Sequence, residues 1–207
     1  ALYLEELIRA VAGGRSDALP ESVLAMVQAR LEDLDPEARR LLRAASVFGQ
    51  SFWEGGVLAL LGGKKTAAID GSLATLVDRE LLFRRGESRF PGETEYNFRH
   101  ALVREAAYGM LTDEDRVLAH KVAGAWLEAH EDTDAAVLAE HFERGHEPAR
   151  ARRWYVRAAE QALGGNDLAA VIEAADRGIR CGARGDDFAT LRLLQAEAHQ
   201  RRGEHAE

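Results

Sequence analysis

Between Tyr96 and Ala101 the apolar period of this chain changes, and that change constrains the fold more than any other feature. Tyr96 and Phe98 alternate with Asn97 and Arg99, the period-two pattern of a short half-buried strand. From Ala101 onward, Leu102, Ala106 and Met110 fall at i, i+4 and i+8, one face of a helix. Strand must therefore give way to helix within a residue or two, and His100 sits at the joint. Thr112 followed by Asp115 is a capping pattern that opens a second helix.

Upstream of the joint the pattern is helical. Leu4, Leu7, Ile8 and Val11 make a short amphipathic helix stopped by Gly13-Gly14. Pro20 restarts helix, with Val23, Val27, Leu31 and Leu34 as its stripe. Asp35-Pro36 is an N-cap followed by proline at the first helical position, and Leu41, Leu42, Ala45 and Phe48 carry that helix's apolar face. Phe52 to Leu61 and Thr66 to Leu82 read as two more helices. Leu82 to Arg85 and Glu95 to Phe98, around a charged and glycine-bearing tip, read as a β-hairpin. Three short helices followed by a hairpin are the element order of a winged helix, here over residues 35–111.

Beyond it the expectation is all helix: Asp115 to His130 burying Leu118, Val122, Ala125 and Ala129, then Ala135 to Arg144, Pro148 to Leu163, Asp167 to Cys181 and Asp187 to Arg202. Starts roughly every 19–20 residues give a helix pair about every 40, looser than the roughly 34-residue tetratricopeptide unit. Trp154-Tyr155 against Ala158-Ala159 and Ala174-Ala175 supplies the large-against-small contacts that stacked hairpins need. The expected class is therefore mainly α: helices over residues 1–34, a winged helix with a small hairpin, and a tetratricopeptide-like array over 112–207, whose concave face would bind a protein or peptide.

Charge and motifs exclude more than they assign. A formal charge of −8 gives no bulk attraction to nucleic acid or to an anionic membrane. No apolar run approaches the roughly 20 residues a bilayer span needs. The lone Cys181 forms no internal disulfide and fits a reducing cytoplasm. Gly62-Gly63-Lys64-Lys65-Thr66 fails as a phosphate loop, because Leu58 stands where the first glycine belongs and Lys65 where Ser or Thr should follow. His141 and His146 lack a third ligand nearby in sequence, and no metal or catalytic motif is complete. Helix 66–82 would be the groove reader of a DNA-binding winged helix, yet it carries Asp70, Asp78 and Glu80 against one Arg79. Arg84, Arg85 and Arg89 on the hairpin could touch a polyanion. A DNA-docking transcriptional regulator and a plain repeat adaptor are thus the alternative readings. The chain opens on Ala1 in a helical pattern and stops at Glu207, and we expect it to be a piece of a longer protein.

LPESVLAMVQARLEDLDPEARRLLRAASVFGQSF, FRHALVREAAYGML with DEDRVLAH, and LAEHFERG with ARRWYVRAAEQAL resemble the signal-transduction ATPases with numerous domains, in the bacterial branch fused to Ser/Thr protein kinase or nucleotide cyclase domains. ALYLEELIRA is similar to the helix that closes the ATPase lid in that family. The resemblance implies ATP or ADP with Mg in the parent protein, no cofactor or catalytic residue in this segment, and an intramolecular ATPase domain as partner. Arg99-His100-Ala101 is similar to the family's Met-His-Asp triplet, whose histidine contacts the β-phosphate of ADP. His100 would carry that contact. Arg99 and Ala101 depart from the triplet, and Ala101 cannot perform the acid's supporting role.

Overall fold

Asp35 shows how closely local chemistry sets the architecture. Its side-chain oxygen accepts a hydrogen bond from Ala38 N at 2.9 Å, and Pro36 follows at the first helical position. Replacing Asp35 with Ala should cost about 1 kcal/mol, read as a lower urea midpoint for the first half of the chain. The computed structural model describes residues 21–63, 67–130 and 133–203. The helix expected over Leu4 to Val11, and Lys64 to Thr66 of the lysine-bearing turn, lie outside the described residues.

The described elements are ten helices and one three-stranded antiparallel sheet. In order they are α1 (Glu21–Glu32), α2 (Pro36–Ser46), β1 (Ser51–Trp53), α3 (Glu54–Leu60), α4 (Ala67–Asp78), β2 (Leu82–Arg84), β3 (Glu95–Phe98), α5 (Ala101–Gly109), α6 (Asp113–Glu128), α7 (Ala135–Arg144), α8 (Pro148–Gly164), α9 (Leu168–Arg180) and α10 (Gly185–Arg202). They fall into two compact units that divide between Asp113 and Glu114.

In the first unit α1 packs on α5, and α2 packs on both α4 and α5. The sheet order is β1-β3-β2, with Phe52 opposite Tyr96 and Phe83 opposite Asn97. Strand β1 corrects the sequence reading, which placed Phe52 and Trp53 in a helix. Three residues are too few to show alternation. Phe52 is fully buried, 5.7 Å from the Tyr96 ring and 5.6 Å from the Phe98 ring, so packing decides the local conformation. Helix α3 then starts at Glu54, whose N–H donates to Thr94 O at 3.0 Å.

Helix α4 also ends earlier than expected. Glu80 takes a left-handed φ of 58°, and Leu81 N donates to Leu76 O while Glu80 N donates to Val77 O. This is a Schellman closure without glycine, and it turns Leu82 into the sheet. The buried face of α5 is centred on Val103, Ala106 and Ala107, one residue round from the expected stripe of Leu102, Ala106 and Met110.

In the second unit each of α7, α8 and α9 packs on the helix that follows it, and α8 also touches α10. Helix starts at Asp113, Ala135, Pro148, Leu168 and Gly185 do not keep the even spacing that the sequence suggested, because α7 is short and a longer connection precedes it. The buried face of α6 is a second correction. Leu118 is 62% exposed and Ala125 and Ala129 are exposed, whereas His120, Ala123, Gly124 and Leu127 are buried. Gly124 explains the rotation: a Cβ there would lie 3.0 Å from the Phe142 ring, so α6 turns its narrowest face to α7. Gly145 acts similarly, with its Cβ position 2.8 Å from the backbone N of Lys121.

Candidate functional site

The strand-to-helix joint is built by a chain of backbone bonds. Phe98 N donates to Gln50 O, Arg99 N donates to Leu81 O at 2.9 Å, and the His100 carbonyl accepts from Val103 N at 3.1 Å. His100 is thereby the N-cap of α5, extended at φ −135° and ψ 134°, and its side chain makes no capping hydrogen bond. Ser, Thr, Asp or Asn at this position would turn inward onto the helix amides. Histidine leaves them open, and its ring is exposed.

The ring borders a groove of about 420 Å³ between α1 and the start of α5. Leu31, Leu34 and Val103 form its apolar wall, and Arg30, Arg79 and Glu80 share its rim. The groove was not legible in sequence beyond His100: Arg30 and Arg79 reach it only because α1 packs on α5 and the α4–β2 turn closes behind them.

The three hairpin arginines are placed differently. Arg85 pairs at 3.1 Å with Glu95, a carboxylate only 3% exposed, which also accepts from the Arg89 backbone N at 2.8 Å. Arg84 lines a second groove, about 460 Å³, together with Glu54, Asp70 and Asp78. The Arg89 guanidinium stands 5.9 Å over the Phe90 ring. All three arginines are exposed, but carboxylates surround two of them.

Two polar clusters of the second unit escape sequence reading because their members come from different helices. His141 pairs with His120 and not with His146, which is exposed. The two Nδ1 atoms are 3.1 Å apart in a buried contact. Burial first, then the His141 ring and Arg144, lower His120 to about 3; burial first, then Arg144 against an opposing Glu140, lower His141 to about 4. Both rings are therefore neutral, one donating and the other accepting.

The second cluster centres on Arg177. It donates through Nε and Nη2 to Glu143 at 3.0 and 2.6 Å, and through Nη1 to Glu140 at 2.6 Å. Tyr155 OH donates to the same Glu143 oxygen at 2.5 Å. Burial raises the Glu143 carboxyl, but hydrogen bonds from Tyr155 and Arg177 outweigh it and hold the group below its ordinary value. Burial, and then Glu143, push the Cys181 thiol up, so it is a poor nucleophile.

Among the described residues no group of three or more His, Cys, Asp or Glu side chains is placed to hold a metal ion, and no helix is long and apolar enough to cross a membrane.

Comparison with known proteins adds one relative. The chain is 32% identical over 134 residues to the uncharacterized protein R02095 of Rhizobium meliloti (strain 1021), a match covering 60% of this chain and 12% of that protein. The chain thus spans a small part of the length of the curated relative it matches. No family model matches it, and no solved structure does.

Proposed function

We propose that this chain is a regulatory segment of a cytoplasmic multidomain signalling ATPase of the numerous-domain class. In this reading the first unit includes a winged helix, from α2 to α5, and the second unit begins a tetratricopeptide-like array that binds a protein or peptide. The segment would couple the nucleotide state of an ATPase domain elsewhere in the parent protein to that array, and through it control a fused Ser/Thr kinase or cyclase. The observation that carries the reading is the placement of His100: an exposed imidazole, uncommitted to capping, at the N-terminal end of α5 and on the rim of an open groove. A ring there adds a donor to the positive end of the helix dipole, which suits a phosphate. A contact made in only one arrangement of the domains biases the equilibrium toward that arrangement.

The test is His100→Ala in the parent protein. ADP release should speed up at least about tenfold, the worth of one hydrogen bond to a charged group, and basal output should rise. An unaltered release rate and output would overturn the reading. The DNA-docking alternative fares worse, because the groove beside α4 is lined by Glu54, Asp70 and Asp78, which repel phosphates.

A further inference from the structure

We propose that the groove between α1 and the α4–β2 turn is itself a binding site for a diphosphate group, held by Arg30 and Arg79 together with His100. The proposal rests on the reading of His100 as a phosphate contact. It adds two ligands that the sequence did not single out, and it places binding in this segment without the ATPase domain.

Three observations carry it. The first is convergence. Arg30 lies on α1, Arg79 follows α4 and His100 caps α5, so three elements distant in sequence bring their basic groups to one groove. The second is that these groups are uncommitted. Among the described residues the side chains of Arg30, Arg79 and His100 make no hydrogen bond or ion pair. Elsewhere Arg85, Arg150, Arg152 and Arg177 all hold carboxylates.

The third observation is the setting. Leu31, Leu34 and Val103 are almost fully buried behind the rim, and such a low-dielectric wall strengthens an ionic contact made against it. Guanidinium forks match phosphate oxygens in pairs, and no side chain caps the first turn of α5. A single carboxylate, Glu80, shares the lining, and the two arginines outnumber it. A volume of about 420 Å³ admits a diphosphate with part of an organic group attached.

The experiment is calorimetric titration of the 207-residue chain with inorganic pyrophosphate at low salt, repeated for Arg30→Ala, Arg79→Ala and the control Arg84→Ala. Binding should weaken at least about tenfold in each of the first two variants and stay unchanged in the third. Arg30 and Arg79 are exposed, so both variants should keep the parental melting temperature, which is measured alongside. No binding, or equal weakening in Arg84→Ala, would overturn the proposal. ADP in place of pyrophosphate identifies the source of the diphosphate. Tighter ADP binding that is lost in the same two variants marks a nucleotide, and equal affinity marks the bare anion. Pyrophosphate binding here with unaltered ADP release in the His100→Ala parent would leave the groove and remove the nucleotide-sensing role. The converse would keep sensing through His100 and remove Arg30 and Arg79.

Discussion

Lowering the pH from 7 to 5 should destabilise the second unit by up to about 4 kcal/mol. The cause is the buried contact between His120 and His141. Both folded-state values, about 3 and about 4, lie below the ordinary histidine value of 6.5. Between pH 6.5 and about 4 the unfolded chain therefore takes up protons that the folded chain refuses, so stability falls as pH falls through that window. It is fully retained above it. Arg144 acts on both rings in the same direction, and Glu140 opposes it at His141.

Doubly protonated rings would set two N–H groups head to head across 3.1 Å. The perturbed carboxyls, Glu128, Glu143 and Glu147, are all held below their ordinary value and contribute only at lower pH. Urea unfolding of the helical signal at a series of pH values measures the slope, and the imidazole proton resonances report the two rings directly. Rings that titrate near 6.5 in the folded protein, with no slope between pH 7 and 5, would show that this contact does not govern acid stability.

Arg177→Ala is expected to be the most damaging single substitution in the same unit, at about 3 kcal/mol. The guanidinium joins α9 to two glutamates of α7 and stands 5.0 Å over the Tyr155 ring of α8, so its loss loosens three helices at once. Arg177→Lys keeps the charge without the fork and should recover less than half of that loss. Tyr155→Phe removes one hydrogen bond from the cluster and should cost about 1 kcal/mol. Thermal unfolding of the three variants orders them. An Arg177→Ala midpoint equal to the parent's would show that the cluster is an ordinary surface ion pair.

Those two contacts also mark where sequence reading stopped. Helix existence was legible wherever caps and breakers agree with period, as at Asp35-Pro36 for α2 and at Ala135 to Arg144 for α7. The hairpin strands were legible from Tyr96 and Phe98. Illegible were the places where tertiary contact overrides pattern. On α6 the expected apolar stripe lost to a face made of a histidine and a glycine, residues that a hydrophobic period does not count. Around the candidate site only His100 carried a local signal, its position at a change of period. Arg30 and Arg79 carry none, since nothing in their neighbourhoods distinguishes an arginine that faces a groove from one that faces water.

The central place of β3 has a consequence for synthesis on the ribosome. Strand β1 leaves the exit tunnel before its partner does, because Ser51 to Trp53 pair only with Glu95 to Asn97. Until then Phe52 and Trp53 are aromatic side chains with no sheet to cover them, a species prone to association. Closing so wide a loop also delays the pairing. A translational pause that holds β1 outside the tunnel while β3 is still inside it should therefore lower the yield of soluble chain more than one placed after all three strands have emerged.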